Sequence, residues 1–338
     1  MVREWDPWTA SPAEIESVRD TLNAIIAIDM PDDPAWRETM LREYLAVTMP
    51  GERRFCWVAE GSAGDAAAGK PLVGLADVLL IGDVGIVEVL VHPLARRGGV
   101  GRELLAAAAR KAGDEGFSSV AAEVVGGTPA VAFYESVGFR CAYIEMRSVL
   151  PLDGVDWLAL GEMATGIGAG YRIEFHAGGL PEELIVPYAE AKQVVRDIDD
   201  GDLDLRPSSS DPDRLRASLT TLTARGMKPY IVVAIHERSG TVAGLTEVVT
   251  PVQHPTRADQ YDTIVVPEHR GAAVGRAIKA RMLFELRSAE PQLRDVQTWN
   301  AMENEPMLAV NAELGFKPDR QWREYEAEVA DLVRRLAR

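Results

Sequence analysis

Apolar and polar residues recur along this chain with two periods, one typical of helices and one typical of strands. Helical spacing predicts helices over 12–45 with a break at 30–34, then over 103–114 and 130–137. Short aliphatic runs predict strands at 55–60, 72–81, 85–91, 119–125 and 140–149. Because the three strands within 55–91 follow one another closely, they are predicted to form an antiparallel meander.

The second half of the chain repeats this order of elements. Predicted helices lie at 181–197, 213–225, 275–290 and 306–314. Predicted strands lie at 230–236, 242–250, 259–266, 295–300 and around 322–329. The stretch 152–170, which ends in GIGAG, is predicted to connect the halves.

The repeat is also visible in the residues themselves. Residues 91–102 (VHPLARRGGVGR) and 265–276 (VVPEHRGAAVGR) are identical at six of twelve positions. Further along each half, VGF at 137–139 corresponds to LGF at 314–316. The chain therefore contains two copies of one module. The predicted fold class is α+β, with a mixed and mainly antiparallel sheet flanked by helices in each module. We expect an N-terminal module at 1–150, a connector at 151–170 and a C-terminal module at 171–338.

Composition and charge narrow the classes of partner. The formal net charge of −16 argues against nucleic acid or an anionic membrane surface, because no basic face could dominate. The chain shows no apolar signal segment at its N-terminus and no apolar run long enough to span a bilayer. Cys56 and Cys141 each lie in a strand-like apolar run and are expected to be buried, reduced thiols of a cytoplasmic protein and not a disulfide or a nucleophile. The histidines and cysteines have no metal-binding spacing.

The stretch VHPLARRGGVGRELL at 91–105 gathers glycine and positive charge between a strand and a helix, which predicts a phosphate-binding turn. A P-loop is excluded, since neither half contains GxxxxGK. A dinucleotide-binding turn is a partial match, because Gly99-Val100-Gly101 is followed by Leu104 where a third glycine belongs, and Glu123 follows about 20 residues later. The antiparallel strands before it argue against this match. An NAD(P)-binding oxidoreductase stays open as an alternative.

Two ordered motifs resemble those of the GNAT acetyltransferases. The loop Arg96-x-x-Gly99-x-Gly101 resembles their pyrophosphate loop, and the stretch AVAFYESVGF at 130–139 resembles their second cofactor motif. The C-terminal half repeats both, at 270–275 and 304–316. The two-module layout resembles that of mycothiol synthase-like tandem proteins. The C-terminal sequence resembles acetyltransferases of antibiotic-producing bacteria, including those of clavulanic-acid-type pathways.

The resemblance implies acetyl-CoA, or another acyl-CoA, as cofactor and a small-molecule amine as acceptor. In the N-terminal module the expected cofactor-binding residues are Leu90, Val91, Arg96, Arg97, Gly98, Gly99, Val100, Gly101, Arg102, Ala130, Phe133 and Tyr134. In the C-terminal module they are Val265, Val266, Arg270, Gly271, Ala273, Val274, Gly275, Arg276 and Asn304. Backbone N–H groups at the helix start and nearby arginines would bind the pyrophosphate.

The same resemblance implies the catalytic groups. Tyr134 occupies the position of the acid that protonates the leaving thiolate, and Glu88 is the candidate base of the N-terminal module. In the C-terminal module, Asp262 aligns with Glu88, and Glu247 lies on the neighbouring predicted strand.

Three positions depart from the family pattern. Gly127 stands where an asparagine is common, Asn311 replaces the tyrosine, and Ala273 replaces a loop glycine. Alanine at position 273 costs about 1–2 kcal/mol if φ there is positive, and little if the residue lies in the first helical turn.

We expect the N-terminal module to hold acetyl-CoA firmly and the C-terminal module to carry turnover. The long loop at 199–213, the helix after it and the polar cluster of Trp299, Asn300 and Asn304 favour a substrate site in the second half. The same tryptophan and asparagines could equally serve as core and helix cap. A degenerate pair in which bound acyl-CoA is structural or regulatory is the non-enzymatic alternative. The oligomeric state stays open.

Overall fold

The structure, a computed structural model, describes residues 1–61, 70–196 and 211–337. The chain forms two compact units. The first unit comprises Met1–Ile144 and Trp322–Arg338, and the second comprises Glu145–Gln321. The end of the chain therefore returns to the unit in which the chain began.

The first unit contains a sheet whose strand order is β1-β2-β3-β4-β5-β12. Its strands are β1 (Val2–Trp5), β2 (Arg53–Glu60), β3 (Leu72–Ile81), β4 (Val84–Val91), β5 (Ser119–Val125) and the second part of β12 (Lys317–Glu328). Its helices are α1 (Pro12–Asp29), α2 (Glu38–Ala46), α3 (Val100–Asp114), α4 (Pro129–Val137) and α10 (Val329–Leu336). Neighbouring strands are antiparallel except for β4 and β5.

The core of the first unit explains why α3 forms where helical spacing predicts it. Leu104, Leu105 and Ala108 lie on one face of α3 and are fully buried. They pack with the apolar face of the sheet and with Val329 and Leu332 of α10. This packing fixes the beginning of α3, and with it the glycine-rich turn.

The second unit has the same arrangement. Its strands are the second part of β6 (Arg140–Pro151), with β7 (Tyr171–Ala177), β8 (Met227–His236), β9 (Val242–Pro251), β10 (Arg257–Val265) and β11 (Asp295–Ala301). Its helices are α5 (Trp157–Thr165), α6 (Glu182–Arg196), α7 (Pro212–Ala224), α8 (Val274–Ala289) and α9 (Glu305–Leu314). The strand order is β6-β11-β10-β9-β8-β7, and only β10 and β11 are parallel. The predicted α+β class with mixed, mainly antiparallel sheets is confirmed.

In each unit, the two parallel strands pair over only part of their length. Strands β4 and β5 pair at 84–86 with 119–121, and β10 and β11 pair at 257–260 with 295–298. Beyond these residues no pairing joins the two strands of either pair within the described chain. Each sheet therefore opens beside the end of the strand that leads into the glycine-rich turn.

Several elements escaped prediction. Strand β1 has four residues, too few for a period to show, and β7 is an edge strand with the mixed sequence YRIEFHA. Helix α5 lies within the predicted connector, where Asp156 caps it by accepting hydrogen bonds from the N–H groups of Leu158 and Ala159. Helix α10 is short. Most of the 199–213 loop, residues 199–210, lies outside the described residues.

The described helices include none with the length and apolar character that a bilayer crossing needs.

Candidate functional site

The glycine-rich turn of the first unit has the shape of an anion-binding nest. After β4 the chain makes a short turn at Pro93–Ala95 and enters α3 through two residues with positive φ, Arg97 (67°) and Gly99 (89°). Gly99 has no side chain to cap α3, so the first N–H groups of the helix are left for a ligand. A Cβ on Gly101 would lie 3.4 Å from the Phe133 ring, so glycine lets α3 and α4 approach closely. This turn fits the diphosphate that the sequence predicts there.

The three arginines of this turn do different things. The Arg96 guanidinium binds the Asp29 carboxylate with both Nη atoms, and its Nε donates to the Val91 carbonyl oxygen. Arg102 donates to the carbonyl oxygen of Arg335. Arg97 is exposed. Of the predicted phosphate ligands, Arg97 is thus presented to solvent while Arg96 is engaged within the protein.

The turn of the second unit repeats this backbone. Gly271 (φ 85°) and Ala273 (φ 58°) occupy the positions of Arg97 and Gly99. A Cβ on Gly275 would meet Val265 at 3.2 Å, as expected for a close approach of α8 to β10. Of the two alternatives for Ala273, the structure therefore shows the strained one. The second turn therefore has the same backbone shape as the first, and Ala273 is strained as a result.

Replacing Ala273 with glycine is expected to raise the free energy of unfolding of the second unit by about 0.5–1 kcal/mol. Glycine relieves about 1–2 kcal/mol of strain at this left-handed backbone conformation. It also gives the unfolded chain more conformational entropy, which cancels part of that gain. Denaturant unfolding measures the difference. Ala272→Gly is the matched control, because Ala272 has no positive φ and should lose stability instead. A loss of stability in both variants would contradict the assignment.

Strand ends line each opening with backbone amides. The N–H of Val89 faces the Tyr134 hydroxyl, while the N–H of His92 donates to the Val73 carbonyl oxygen on the other side. Since alternate residues of a strand direct their N–H groups to the same edge, that of Val91 faces the opening and that of Leu90 faces β3. In the second unit, Val266 donates to Ala243, so by the same alternation Val265 faces the opening. Val91 and Val265 are therefore the residues of these strand ends whose N–H groups face the openings.

The candidate base of the first unit belongs to a carboxylate pair. Glu88 on β4 lies opposite Asp77 on β3, and the buried Arg54 guanidinium contacts Asp77 at 2.9 Å. Arg54 also lies over the Tyr44 ring, 4.8 Å from its centre. Burial, and then the neighbouring Asp77 carboxylate, raise the pKa of Glu88 to about 8. The two facing carboxyl groups therefore hold a proton between them more readily than exposed carboxylates do.

The predicted acid, Tyr134, lies beside this pair. Its ring is buried against Phe133, Phe139 and Tyr325. Burial, with a further contribution from the charge of Glu88, raises the pKa of Tyr134 above its usual value. The hydroxyl therefore keeps its proton at neutral pH and is a weaker acid than that of an exposed tyrosine. The structure brings Tyr134 and Glu88 together at the opening between β4 and β5.

The second unit has a corresponding but differently charged cluster. Lys192 on α6 contacts Glu247 on β9 at 2.7 Å and Asp262 on β10 at 2.9 Å. The Tyr188 hydroxyl donates to the same Glu247 carboxylate. Although burial opposes its charge, the two carboxylates raise the pKa of Lys192. The cluster thus places one buried lysine between two strand carboxylates.

Sequence reasoning missed Lys192, Tyr188, Asp77, Arg54 and Asp29. A signal existed for two of them. GLADV at 74–78 matches GLTEV at 244–248, which aligns Asp77 with Glu247. Lys192 interrupts the apolar face of α6, where Ile185, Tyr188 and Ala189 are buried. A lysine on a buried helical face needs a counter-charge, and the strand carboxylates were the available ones.

The polar residues at the end of the second unit form a cap and a buried pair. Asn304 caps α9 by accepting a hydrogen bond from the N–H of Met307 at 3.3 Å. Asn311, which stands where Tyr134 stands in the first unit, is buried and donates to Asn300 at 2.7 Å. The second unit therefore has no hydroxyl at the predicted acid position. Its opening is lined by amides instead.

Within 1–61, 70–196 and 211–337, no three histidine, cysteine or carboxylate side chains are grouped as metal ligands.

Comparison with known proteins agrees with this geometry. Residues 22–139 match the acetyltransferase (GNAT) family. No curated protein has a matching sequence. Among solved structures, the chain is similar to a tandem GNAT protein from the clavulanic acid biosynthesis pathway, with 26% identity, a TM-score of 0.81 and coverage of 97% of this chain and 98% of that chain.

Two more distant structures share the fold. A GCN5-related N-acetyltransferase from Sphaerobacter thermophilus is 16% identical, with a TM-score of 0.64 and coverage of 97% and 95% of the two chains. A putative acetyltransferase from Pyrococcus horikoshii is 13% identical, with a TM-score of 0.54 and coverage of 97% and 89%.

The family match, the paired openings and the full-length likeness lead to one conclusion. Residues 22–139 match the GNAT acetyltransferase family, and the whole chain has a fold similar to that of a tandem GNAT protein.

Proposed function

We propose that the first unit holds acetyl-CoA, while the second unit transfers an acetyl group to the amine of a small molecule. The observation that carries this division is the contact of Lys192 with both Glu247 and Asp262. It gives the second opening a carboxylate that contacts a buried lysine and that solvent can reach, since the Asp262 side chain is 39% exposed.

An accessible carboxylate suits an incoming amine. The amine arrives as an ammonium ion, and only its free form is nucleophilic. Asp262 can first attract the ammonium and then accept its proton, directly or through water. Glu247 lies deeper, between Lys192 and the Tyr188 hydroxyl, and holds the lysine in place.

The first unit lacks this arrangement. Glu88 faces Asp77 on the neighbouring strand, and its raised pKa is that of a carboxyl pair that holds a proton more readily than exposed carboxylates do. Its partner Asp77 is buried and bound to Arg54. This opening suits retention of a bound thioester more than attack on it.

Bound acyl-CoA would supply the reactive thioester. The chain's own groups would bind and orient it: the N–H groups at 271–275 would receive the pyrophosphate, and the Val265 N–H would polarise the carbonyl oxygen. A thiol has a pKa near ~8.5, so a thiolate can leave with little help. A module that catalyses acetyl transfer can therefore have Asn311 in place of the tyrosine.

We further propose a cytoplasmic protein that acts on a small amine and not on nucleic acid or a membrane surface. The net charge of −16 supports this proposal. The relative in the clavulanic acid pathway suggests that antibiotic biosynthesis is a setting to examine first.

Matched substitutions at the two equivalent carboxylates test the division. Asp262→Asn is expected to lower kcat about 100-fold, because it removes the base and keeps the size of the side chain. Glu88→Gln is expected to leave turnover close to that of the unmodified protein. Free thiol released from acetyl-CoA with a panel of primary amines measures both. If Glu88→Gln abolished thiol release and Asp262→Asn retained it, turnover would belong to the first unit.

A non-catalytic role is the second candidate, favoured by the strained Ala273 and by Asn311. On this hypothesis acyl-CoA would stabilise or regulate the protein without reacting. Native mass spectrometry showing bound acetyl-CoA, together with no thiol release for any acceptor, would support it over the enzymatic proposal.

A further inference from the structure

Arg96 joins three elements of the first unit. Its Nη1 and Nη2 lie 3.1 and 2.6 Å from the two oxygens of Asp29, the last residue of α1. Its Nε lies 3.2 Å from the carbonyl oxygen of Val91, the last residue of β4. Such a two-pronged contact fixes orientation as well as distance. The residue that opens the phosphate turn is thereby tied to the end of a helix 67 residues away.

Asp29 is poorly placed for α1 itself. It lies at the C-terminal end of the helix, where the helix dipole disfavours negative charge, and the last turn contains no basic residue. Its side chain is only 13% exposed, so water compensates this charge little. The contact with Arg96 explains why a carboxylate is stable there.

The residue after Arg96 needs such support. Arg97 has a φ of 67°, a conformation that favours glycine. In the second unit the corresponding residue is Gly271, which adopts a φ of 85° without strain. Arg270, the counterpart of Arg96, is exposed. Among the described residues it has no carboxylate partner corresponding to Asp29.

We propose that Asp29 is a positioning residue that latches the phosphate turn of the first unit through Arg96. The latch holds Arg97 in its strained conformation before acyl-CoA arrives and prevents the turn from relaxing when the ligand begins to leave. Pre-organisation of this kind raises affinity mainly by slowing dissociation. The proposal rests on the proposed role of the first unit as the site that retains acetyl-CoA.

The test is the rate at which labelled acetyl-CoA leaves the protein when unlabelled acetyl-CoA is in excess. Asp29→Asn keeps the shape of the side chain and removes its charge, and is expected to speed release about 10-fold, in line with the loss of a charge-assisted hydrogen bond. Asp20→Asn is the matched control, since Asp20 is an exposed carboxylate of the same helix. It should release acetyl-CoA at the unmodified rate.

Repeating the measurement in an Arg97→Gly protein distinguishes a positioning role of Asp29 from a general loss of stability. In Arg97→Gly the strain is gone, so adding Asp29→Asn should speed release by less than about 3-fold, as expected for coupled residues. A purely structural carboxylate would give the same factor in both backgrounds, and that result would overturn the proposal. Arg96→Lys, which keeps the charge but loses the two-pronged contact, should behave like Asp29→Asn.

A further variant separates this proposal from the proposed function. Gly99→Trp should abolish retention by the first unit, because the side chain blocks the turn and disfavours its positive φ. If Gly99→Trp kept a full complement of acetyl-CoA, the assignment of retention to the first unit would be wrong. If Gly99→Trp lost it while Asp29→Asn released it at the unmodified rate, only the latch would be wrong.

Discussion

Replacing Lys279 with leucine is expected to raise the free energy of unfolding of the second unit by about 4 kcal/mol at pH 7. Lys279 lies on α8 with 1% of its surface exposed, and its Nζ lies 5.4 Å from the centre of the Phe316 ring. Burial lowers the pKa of Lys279 to about 7 from the 10.5 of an exposed lysine. The equivalent residue of the first unit, Leu105, is a fully buried core residue, which shows that the position accepts leucine.

The pH dependence identifies the cause. Above pH 10.5 the lysine is neutral in both states, so its charge does not affect folding. As the pH falls from 10.5 towards 7, Lys279 becomes protonated in the unfolded chain but stays neutral in the folded chain. The unmodified protein therefore loses stability relative to the variant. Below pH 7 both states bind the proton and the difference stays constant.

Urea unfolding at pH 7 and at pH 10 measures this difference. The advantage of Lys279→Leu should shrink markedly at pH 10. Lys111→Leu, on the equivalent helix α3 but beside Glu115 at the surface, should change stability by less than about 1 kcal/mol. An equal advantage at both pH values would show that packing, and not charge, sets the cost of Lys279.

Lys192→Met is expected to destabilise the second unit by about 3–5 kcal/mol at pH 8, since it leaves two carboxylates together without their cation. The pKa of Lys192 is raised in the folded protein, so its contribution is fully present below the pKa of an unfolded lysine and is lost only as the pH rises through the folded value. At pH 8 the whole contribution is therefore removed by the substitution.

Acid should partly rescue this variant. Without Lys192, one of Glu247 and Asp262 can relieve the repulsion by binding a proton, so the deficit should be smaller at pH 5 than at pH 8. Lys70→Met is the matched control, because the Lys70–Glu60 pair lies at the surface with a separation of 3.7 Å. It should cost less than about 1 kcal/mol. An equal deficit at pH 5 and pH 8 for Lys192→Met would contradict the repulsion argument.

Features encoded within short stretches could be predicted from the sequence. The meander, the helix after the glycine-rich turn and the duplication depend on local spacing, and the structure confirms them in both units. The two turns adopt the same pair of left-handed residues because glycine and a following helix impose that backbone. The strain at Ala273 could be stated only as an alternative, since φ at a non-glycine residue depends on how the helix is seated.

The division of residues between the two units could not be predicted from chain order. Residues 145–151 of β6 pair with β11 in the second unit, and residues 322–328 of β12 pair with β5 in the first. Helices α5 and α10 follow these strands and pack on α8 and α3 respectively. A strand's own pattern states which face is apolar, but not which neighbour it pairs with.

The sequence by itself determined the resemblance to the GNAT acetyltransferases, the α+β class, the two glycine-rich turns and the carboxylates on the strands that lead into them. These depend on residue types and spacings within a few tens of residues. Only the tertiary structure decided which cation meets which carboxylate: Lys192 with Glu247 and Asp262, Arg54 with Asp77, and Arg96 with Asp29. Each pair joins residues from different elements, and a charged residue on a helix has the same local pattern whether it faces water or a buried partner.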